Sequence, residues 1–93
     1  DGRRVLFVVI PDRKDLRAAA GGAPEAAPAH VALVEAARAS GAGTVDARPF
    51  LLDAFRTHGE ALFMDTIPDD PHFTPLGHGL YAQFLAALPA LSP

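Results

Sequence analysis

The sequence has no cysteine, no tryptophan and no asparagine, and it contains a single lysine. The absence of cysteine excludes a disulfide scaffold, a thiolate zinc site and a cysteine nucleophile. The formal net charge of -3 predicts no basic surface, so we expect no nucleic-acid partner. Long apolar runs are also missing. The longest, residues 5–10, is too short to span a bilayer.

Apolar residues are plentiful, and their fraction of 49% rules out a disordered tail. A length of 93 residues allows one small domain at most, or part of a larger one. Because the chain begins with Asp1, we expect a processed chain or a segment of a longer protein.

Residues 5–10 are rich in β-branched side chains and show no polar alternation. This pattern predicts a parallel strand that is covered on both faces. A polar loop over residues 11–15 is expected at its carboxyl end, where open α/β sheets bind ligands. Arg13 and Lys14 could hold an anionic group there, although solvated loop charges are the more ordinary interpretation. So short a chain cannot cover such a strand, so we expect another segment, chain or copy to complete the sheet.

Helical and extended segments alternate along the rest of the chain. Apolar spacing, glycine and proline predict helices and extended pieces in this order: helix 29–40, strand 44–47, helix 49–58, extended piece 61–64 and a helix from 75 onward. Residues 18–28 are rich in Ala, Gly and Pro, which suits either a loop or a short helix and turn. Thr74 is predicted to be the N-cap of the last helix, and Pro75 its first residue. The alternation favours an α/β fold with a parallel sheet.

The segment from Asp69 to His78 holds the chemically informative residues. A histidine that acts as a general base needs a partner that fixes its tautomer. Asp69, three residues before His72, can reach back to one ring nitrogen and leave the other for a nucleophile. Asp70 is the alternative acid, but the spacing favours Asp69.

Simpler interpretations of these residues remain open. The aspartates can serve as a helix cap, and His72 can be an ordinary surface residue. A zinc site would draw on the four side chains Asp69, Asp70, His72 and His78, but we expect no metal. We expect His30 and His58 to face solvent, His78 to be structural, and Tyr81 and Phe84 to pack in the core.

The string DDPHFTPLGHGLYAQFLAAL resembles the C-terminal block of SGNH/GDSL-type hydrolases, which carries Asp-x-x-His before a final helix. VLFVVIPDRKDL resembles a late core strand of that family, in particular of members related to polysaccharide O-acetyltransferases. The family's short strand and helix, and the segment that leads into its Asp-x-x-His motif, are similar to TVDARPFLLDAF and EALFMDTIPDD. The resemblance implies a three-layer αβα fold with a flavodoxin-like parallel sheet. Residues 1–93 would form the C-terminal segment of that single domain.

If the family's roles apply to the matching positions, the resemblance implies that Asp69 is the orienting acid and His72 the base of a Ser-His-Asp triad. The family's Gly-Asp-Ser and Gly-x-Asn-Asp blocks are absent, and Ser40 and Ser92 lack the motif around them. The resemblance therefore implies part of an esterase or O-acyltransferase that is incomplete alone and needs no cofactor. Its partners would be an ester-bearing small molecule, lipid or carbohydrate, and the rest of the domain in cis or in trans. The alternative is a non-catalytic SGNH-like remnant that binds proteins, and a weaker one is a small metal-binding domain.

Overall fold

Strands and helices alternate in the computed structural model, which describes residues 5–23 and 25–88. The elements are β1 (Leu6–Val9), α1 (Arg13–Ala20), α2 (Pro28–Ala39), β2 (Gly43–Asp46), α3 (Arg48–His58), a 3₁₀ turn (Gly59–Leu62) and α4 (Pro75–Ala86). Among the described helices, none has both the length and the apolar character that crossing a bilayer requires.

The two strands form a parallel sheet. Leu6 lies opposite Gly43 and Val9 opposite Asp46, and the chain between the strands passes through α1 and α2. Parallel strands need such a crossover because the chain must return to the same end of the sheet. The chain is therefore α/β, and the predicted parallel pairing of residues 5–10 is confirmed over Leu6–Val9.

The prediction that this strand is covered on both faces is wrong for the described chain. Only Val9 is buried, whereas Val5, Phe7 and Ile10 are 57%, 44% and 44% exposed. The side chains of Val5 and Phe7 point to the same face of β1, and the described residues leave that face partly uncovered. In addition, no described strand pairs with the second edge of β1. Part of the apolar run therefore remains exposed.

The hydrophobic core lies between α1, α3 and the 3₁₀ turn. Leu16, Leu51 and Leu62 are its most deeply buried large side chains, and each such burial stabilises the fold by about 1.5–3 kcal/mol. Tyr81 and Phe84 of α4 pack against this core while remaining partly exposed, in agreement with their predicted packing role.

Two local predictions need correction. Residues 11–15 do not stay a loop, because the Asp12 carboxylate accepts the backbone N–H of Lys14 at 3.2 Å and caps α1. Capping and the alanines that follow favour a helix here. The extended piece predicted over 61–64 is reduced to Phe63, since the 3₁₀ turn continues to Leu62.

The start of α4 matches its sequence signals. The Thr74 hydroxyl accepts the N–H of Gly77 at 3.3 Å and donates to the carbonyl of Ala61 at 2.7 Å, and Pro75 is the first helical residue. A Cβ on Gly77 would lie 2.3 Å from the carbonyl oxygen of Leu62. The first turn of α4 therefore rests directly on the 3₁₀ turn, and only glycine allows this approach.

Candidate active site

His72 lies on a closed loop, residues 64–72, that we call the histidine loop. Phe63 and Phe73 form an antiparallel bridge at its base. The N–H of Met64 donates to the carbonyl of His72 at 2.8 Å, and the N–H of Thr74 donates to the carbonyl of Leu62 at 2.9 Å. Both ends of the loop are thereby held beside α4.

Within the loop, the Asp70 carboxylate contacts His72 twice. One oxygen accepts the His72 backbone N–H at 3.0 Å and lies 2.7 Å from the ring nitrogen Nδ1. Asp70 is only 2% exposed. The backbone N–H of His72 lowers the pKa of Asp70 most, followed by the His72 ring, against the opposing effect of burial. Asp70 is therefore ionised at neutral pH.

An ionised carboxylate only accepts hydrogen bonds, so the proton between the two groups is assigned to Nδ1 of His72. In the neutral ring this tautomer makes Nε2 the acceptor, and Nε2 has no hydrogen-bond partner within residues 5–23 and 25–88. The His72 side chain is 74% exposed. The pair thus consists of a buried carboxylate and an exposed imidazole whose second nitrogen is accessible.

The predicted contact between Asp69 and His72 is wrong in this structure. Asp69 has a φ of 52°, in the left-handed region, and its carboxylate turns towards α1. There it accepts from Arg17 at 2.7 Å and lies 3.7 Å from the Lys14 ammonium group. Asp70 takes the place beside His72 because an aspartate readily accepts the backbone N–H two residues further on.

A buried arginine anchors the histidine loop to α1. Arg13 is 7% exposed, and its Nη1 donates to the carbonyls of Met64 and Asp70, both at 2.9 Å. Its guanidinium carbon also lies 5.0 Å from the centre of the Phe63 ring. One side chain therefore holds the first residue of the loop and the residue that carries the buried acid.

Glu60 pairs with Arg13 and with Arg17. Its Oε1 accepts from Arg13 Nε at 2.9 Å and from Arg17 Nη2 at 2.8 Å, and its Oε2 accepts from Arg17 Nε at 3.1 Å. The hydrogen bonds from Arg17 and then from Arg13 lower the pKa of Glu60. Arg17 in turn lowers the pKa of Asp69. These charges link α1, the 3₁₀ turn and the histidine loop.

A cleft of about 700 Å³ lies beside the loop, at the carboxyl end of β1. Pro71 and Phe73, the neighbours of His72, line it together with Arg13 and Lys14. The Arg13 guanidinium is occupied by Glu60 and two carbonyls, whereas the Lys14 side chain is largely exposed. Of the two residues predicted to meet an anionic group, Lys14 is the better placed.

His30 is the polar residue that sequence reasoning misjudged. It was expected to face solvent, yet it is 4% exposed and its Nε2 lies 2.8 Å from the Asp46 carboxylate. Its Nδ1 is buried without a partner. Sixteen residues separate His30 from Asp46, and no local sequence signal marks a contact between them. His58 is exposed as predicted, and the His78 ring lies edge-on to Phe73.

The other chemical candidates gain no geometric support. In the part of the chain that the structure describes, no three His, Asp or Glu side chains converge as a metal ion requires. The Ser40 hydroxyl donates to the carbonyl of Ala37 at 2.6 Å at the end of α2, as a local cap would. Ser92 lies outside the described residues.

Comparison of the chain with protein-family models, with curated proteins and with solved structures found no match.

Proposed function

We propose that this chain is the C-terminal segment of an SGNH-type serine ester hydrolase or O-acyltransferase. In this proposal His72 is the general base, and the serine and the oxyanion donors lie outside residues 1–93. The complete domain would be a three-layer αβα fold. The contact between the buried Asp70 carboxylate and the exposed His72 ring, at 2.7 Å, is the observation that carries the proposal.

The chemistry follows from the tautomer of His72. Its unprotonated Nε2 takes the proton of a serine hydroxyl as the serine oxygen attacks an ester carbonyl. His72 then returns the proton to the departing alcohol. Water or a sugar hydroxyl next attacks the acyl-enzyme carbonyl while His72 takes its proton. His72 then returns that proton to the serine oxygen as the bond to the acyl group breaks. The substrate is an ester-bearing small molecule, lipid or carbohydrate, and these steps need no cofactor.

The acid of the triad is Asp70 in this proposal. Asp69 was favoured by its three-residue spacing, but its carboxylate is engaged by Arg17. A buried carboxylate beside Nδ1 holds the ring orientation and stabilises the imidazolium that forms when serine loses its proton. Asp70 meets both requirements, since its side chain is 3% exposed and contacts the ring directly.

The open edge of β1 supports the view that further strands complete this sheet. An apolar groove of about 420 Å³ follows that strand and is lined by Phe7, Val9 and Leu33 among others. In a complete SGNH domain, the remaining strands and helices would cover it, in cis or in trans. The same edge also favours the second candidate, a non-catalytic remnant that binds a protein partner through strand addition.

The test is an active-site labelling experiment on the protein encoded by the complete gene. A fluorophosphonate probe should modify one serine outside residues 1–93, and short acyl esters should be turned over. His72→Ala should abolish both while leaving the melting temperature almost unchanged, because an exposed loop side chain contributes little packing. The isolated 93-residue chain should be inactive.

The aspartates provide a matched pair. Asp70→Asn should lower kcat strongly, because an amide next to Nδ1 favours the wrong tautomer. Asp69→Asn should be milder, since Asp69 contacts Arg17 rather than His72. A His72→Ala protein with near-normal turnover would refute the proposal. Absence of any labelled serine, together with capture of a protein partner that Phe7→Asp abolishes, would establish the binding module instead.

A further inference from the structure

The buried guanidinium of Arg13 has a role that goes beyond cross-linking two elements. We propose that Arg13 is a positioning residue, which sets the Asp70–His72 pair by holding the backbone carbonyl of Asp70. This inference rests on the proposed function for its catalytic meaning, but the geometric claim stands on the contacts alone.

The first step is the connection between the carbonyl and the carboxylate. Asp70 accepts from Arg13 through its backbone oxygen at 2.9 Å, and its side chain accepts from His72. Holding the carbonyl of Asp70 restrains the backbone from which its side chain departs. Arg13 therefore acts on His72 through a single residue.

The second step is the rigidity of Arg13 itself. Its Nε and Nη2 lie 2.9 Å and 2.8 Å from the same Glu60 oxygen, and its Nη1 meets two carbonyls. A planar guanidinium held at three nitrogens cannot rotate without breaking several bonds. Its place near the start of α1, next to the end of β1, ties the loop to the sheet edge.

The third step is the contrast with Asp69, next to Asp70 in the chain. The chain turns immediately before the acid, since Asp69 has a positive φ and the N–H of Asp70 donates to the carbonyl of Ile67 at 3.2 Å. Within the loop, the N–H of His72 holds the Asp70 carboxylate. The anchor that spans 57 residues, from Arg13 to Asp70, holds the carbonyl of the same residue from outside the loop.

The experiment compares Arg13→Lys with Arg48→Lys. Arg48 is a matched control because it is another largely buried arginine, paired with the buried Asp15 at 3.1 and 3.3 Å, and it does not contact the histidine loop. Lysine keeps the charge at each position but cannot reproduce the planar set of donors. Proton–nitrogen NMR of the His72 ring, assigned with His72→Ala, reports its tautomer and the exchange of its Nδ1 proton.

In the wild type, His72 should show the Nδ1–H tautomer and a slowly exchanging, low-field proton. Arg13→Lys should shift His72 to a mixture of tautomers and speed exchange at least tenfold, whereas Arg48→Lys should leave both unchanged. In the complete protein, Arg13→Lys should lower kcat about tenfold or more, with KM nearly constant. If Arg13→Lys fails to fold, Glu60→Gln provides the second variant, and it should change the His72 signals in the same direction.

An unchanged His72 spectrum in a folded Arg13→Lys protein would overturn the inference. Equal loss of the signal in Arg48→Lys would overturn it too, because general loosening would then be the cause. Failure of the proposed function is a separate result. It would appear as turnover that survives His72→Ala, while the effect of Arg13→Lys on the ring would still be present.

Discussion

Replacing Gly77 with alanine tests the packing of α4 on the 3₁₀ turn. The added Cβ would lie 2.3 Å from the carbonyl oxygen of Leu62 and 2.9 Å from Cδ1 of Phe73. The oxygen belongs to the backbone and accepts the N–H of Thr74, so it cannot move without weakening that hydrogen bond. The substitution should therefore displace the first turn of α4 from the turn below it.

The magnitude follows from opposing effects. Overpacking against a fixed backbone atom costs about 3 kcal/mol or somewhat more. Weakening the Thr74 hydrogen bond costs up to about 1 kcal/mol. Alanine offsets up to about 1 kcal/mol of this, because it has a higher helix propensity than glycine. We expect a net loss of about 2–4 kcal/mol, which in a chain of this size lowers Tm by roughly 10–30 °C.

The control is Gly79→Ala in the same helix, where an added Cβ meets nothing within 4 Å. With no clash, the propensity of alanine should raise stability by about 0.5–1 kcal/mol. Urea denaturation followed by circular dichroism measures both variants. If the two substitutions change stability in the same direction, the close contact between Gly77 and Leu62 is not present in solution, and the reasoning fails.

Two further predictions concern the same region. Thr74→Ala removes the N-cap of α4 and the bond to Ala61, so it should cost about 1–2 kcal/mol, while Thr74→Ser should recover most of the loss in the same urea assay. Acid should also destabilise the chain. The pKa values of Glu60, Asp69 and Asp70 are lowered by folding, so their contribution is present above their ordinary pKa values and is lost as the pH falls through the folded ones. Unfolding midpoints measured from about pH 6 down to about pH 2 should fall most steeply below about pH 4, and less so in Asp70→Asn. A constant midpoint across this range would contradict the lowered pKa values.

The sequence was most informative where the signals were local. Thr74 and Pro75 cap and start α4 as predicted, because a cap depends on residues within one turn. The loop position of His72 before that helix follows from the same signals. The glycines after α2 and α3 were also correctly placed as helix ends, with Gly41 and Gly59 both at positive φ.

Contacts between distant residues were beyond the reach of local patterns. The contact between Arg17 and Asp69 spans 52 residues, so the three-residue spacing from Asp69 to His72 could not reveal it. The contact of the buried His30, in α2, is with Asp46 at the end of β2, sixteen residues away. The exposure of Phe7 depends on whether its face of β1 is covered, and apolar composition does not show how fully each face is covered.

The two attachments of the histidine loop to α1 differ in how they respond to ionic strength. Asp69 is held by Arg17 and Lys14 at the surface, where dissolved ions compete with a pair of charges. At about 0.1 M salt the Debye length is about 10 Å, and it shortens as salt is added. The Arg13 bonds to Met64 and Asp70 are shielded from those ions by burial. Concentrated salt would therefore release the Asp69 side of the loop first and leave the acid beside His72 in place.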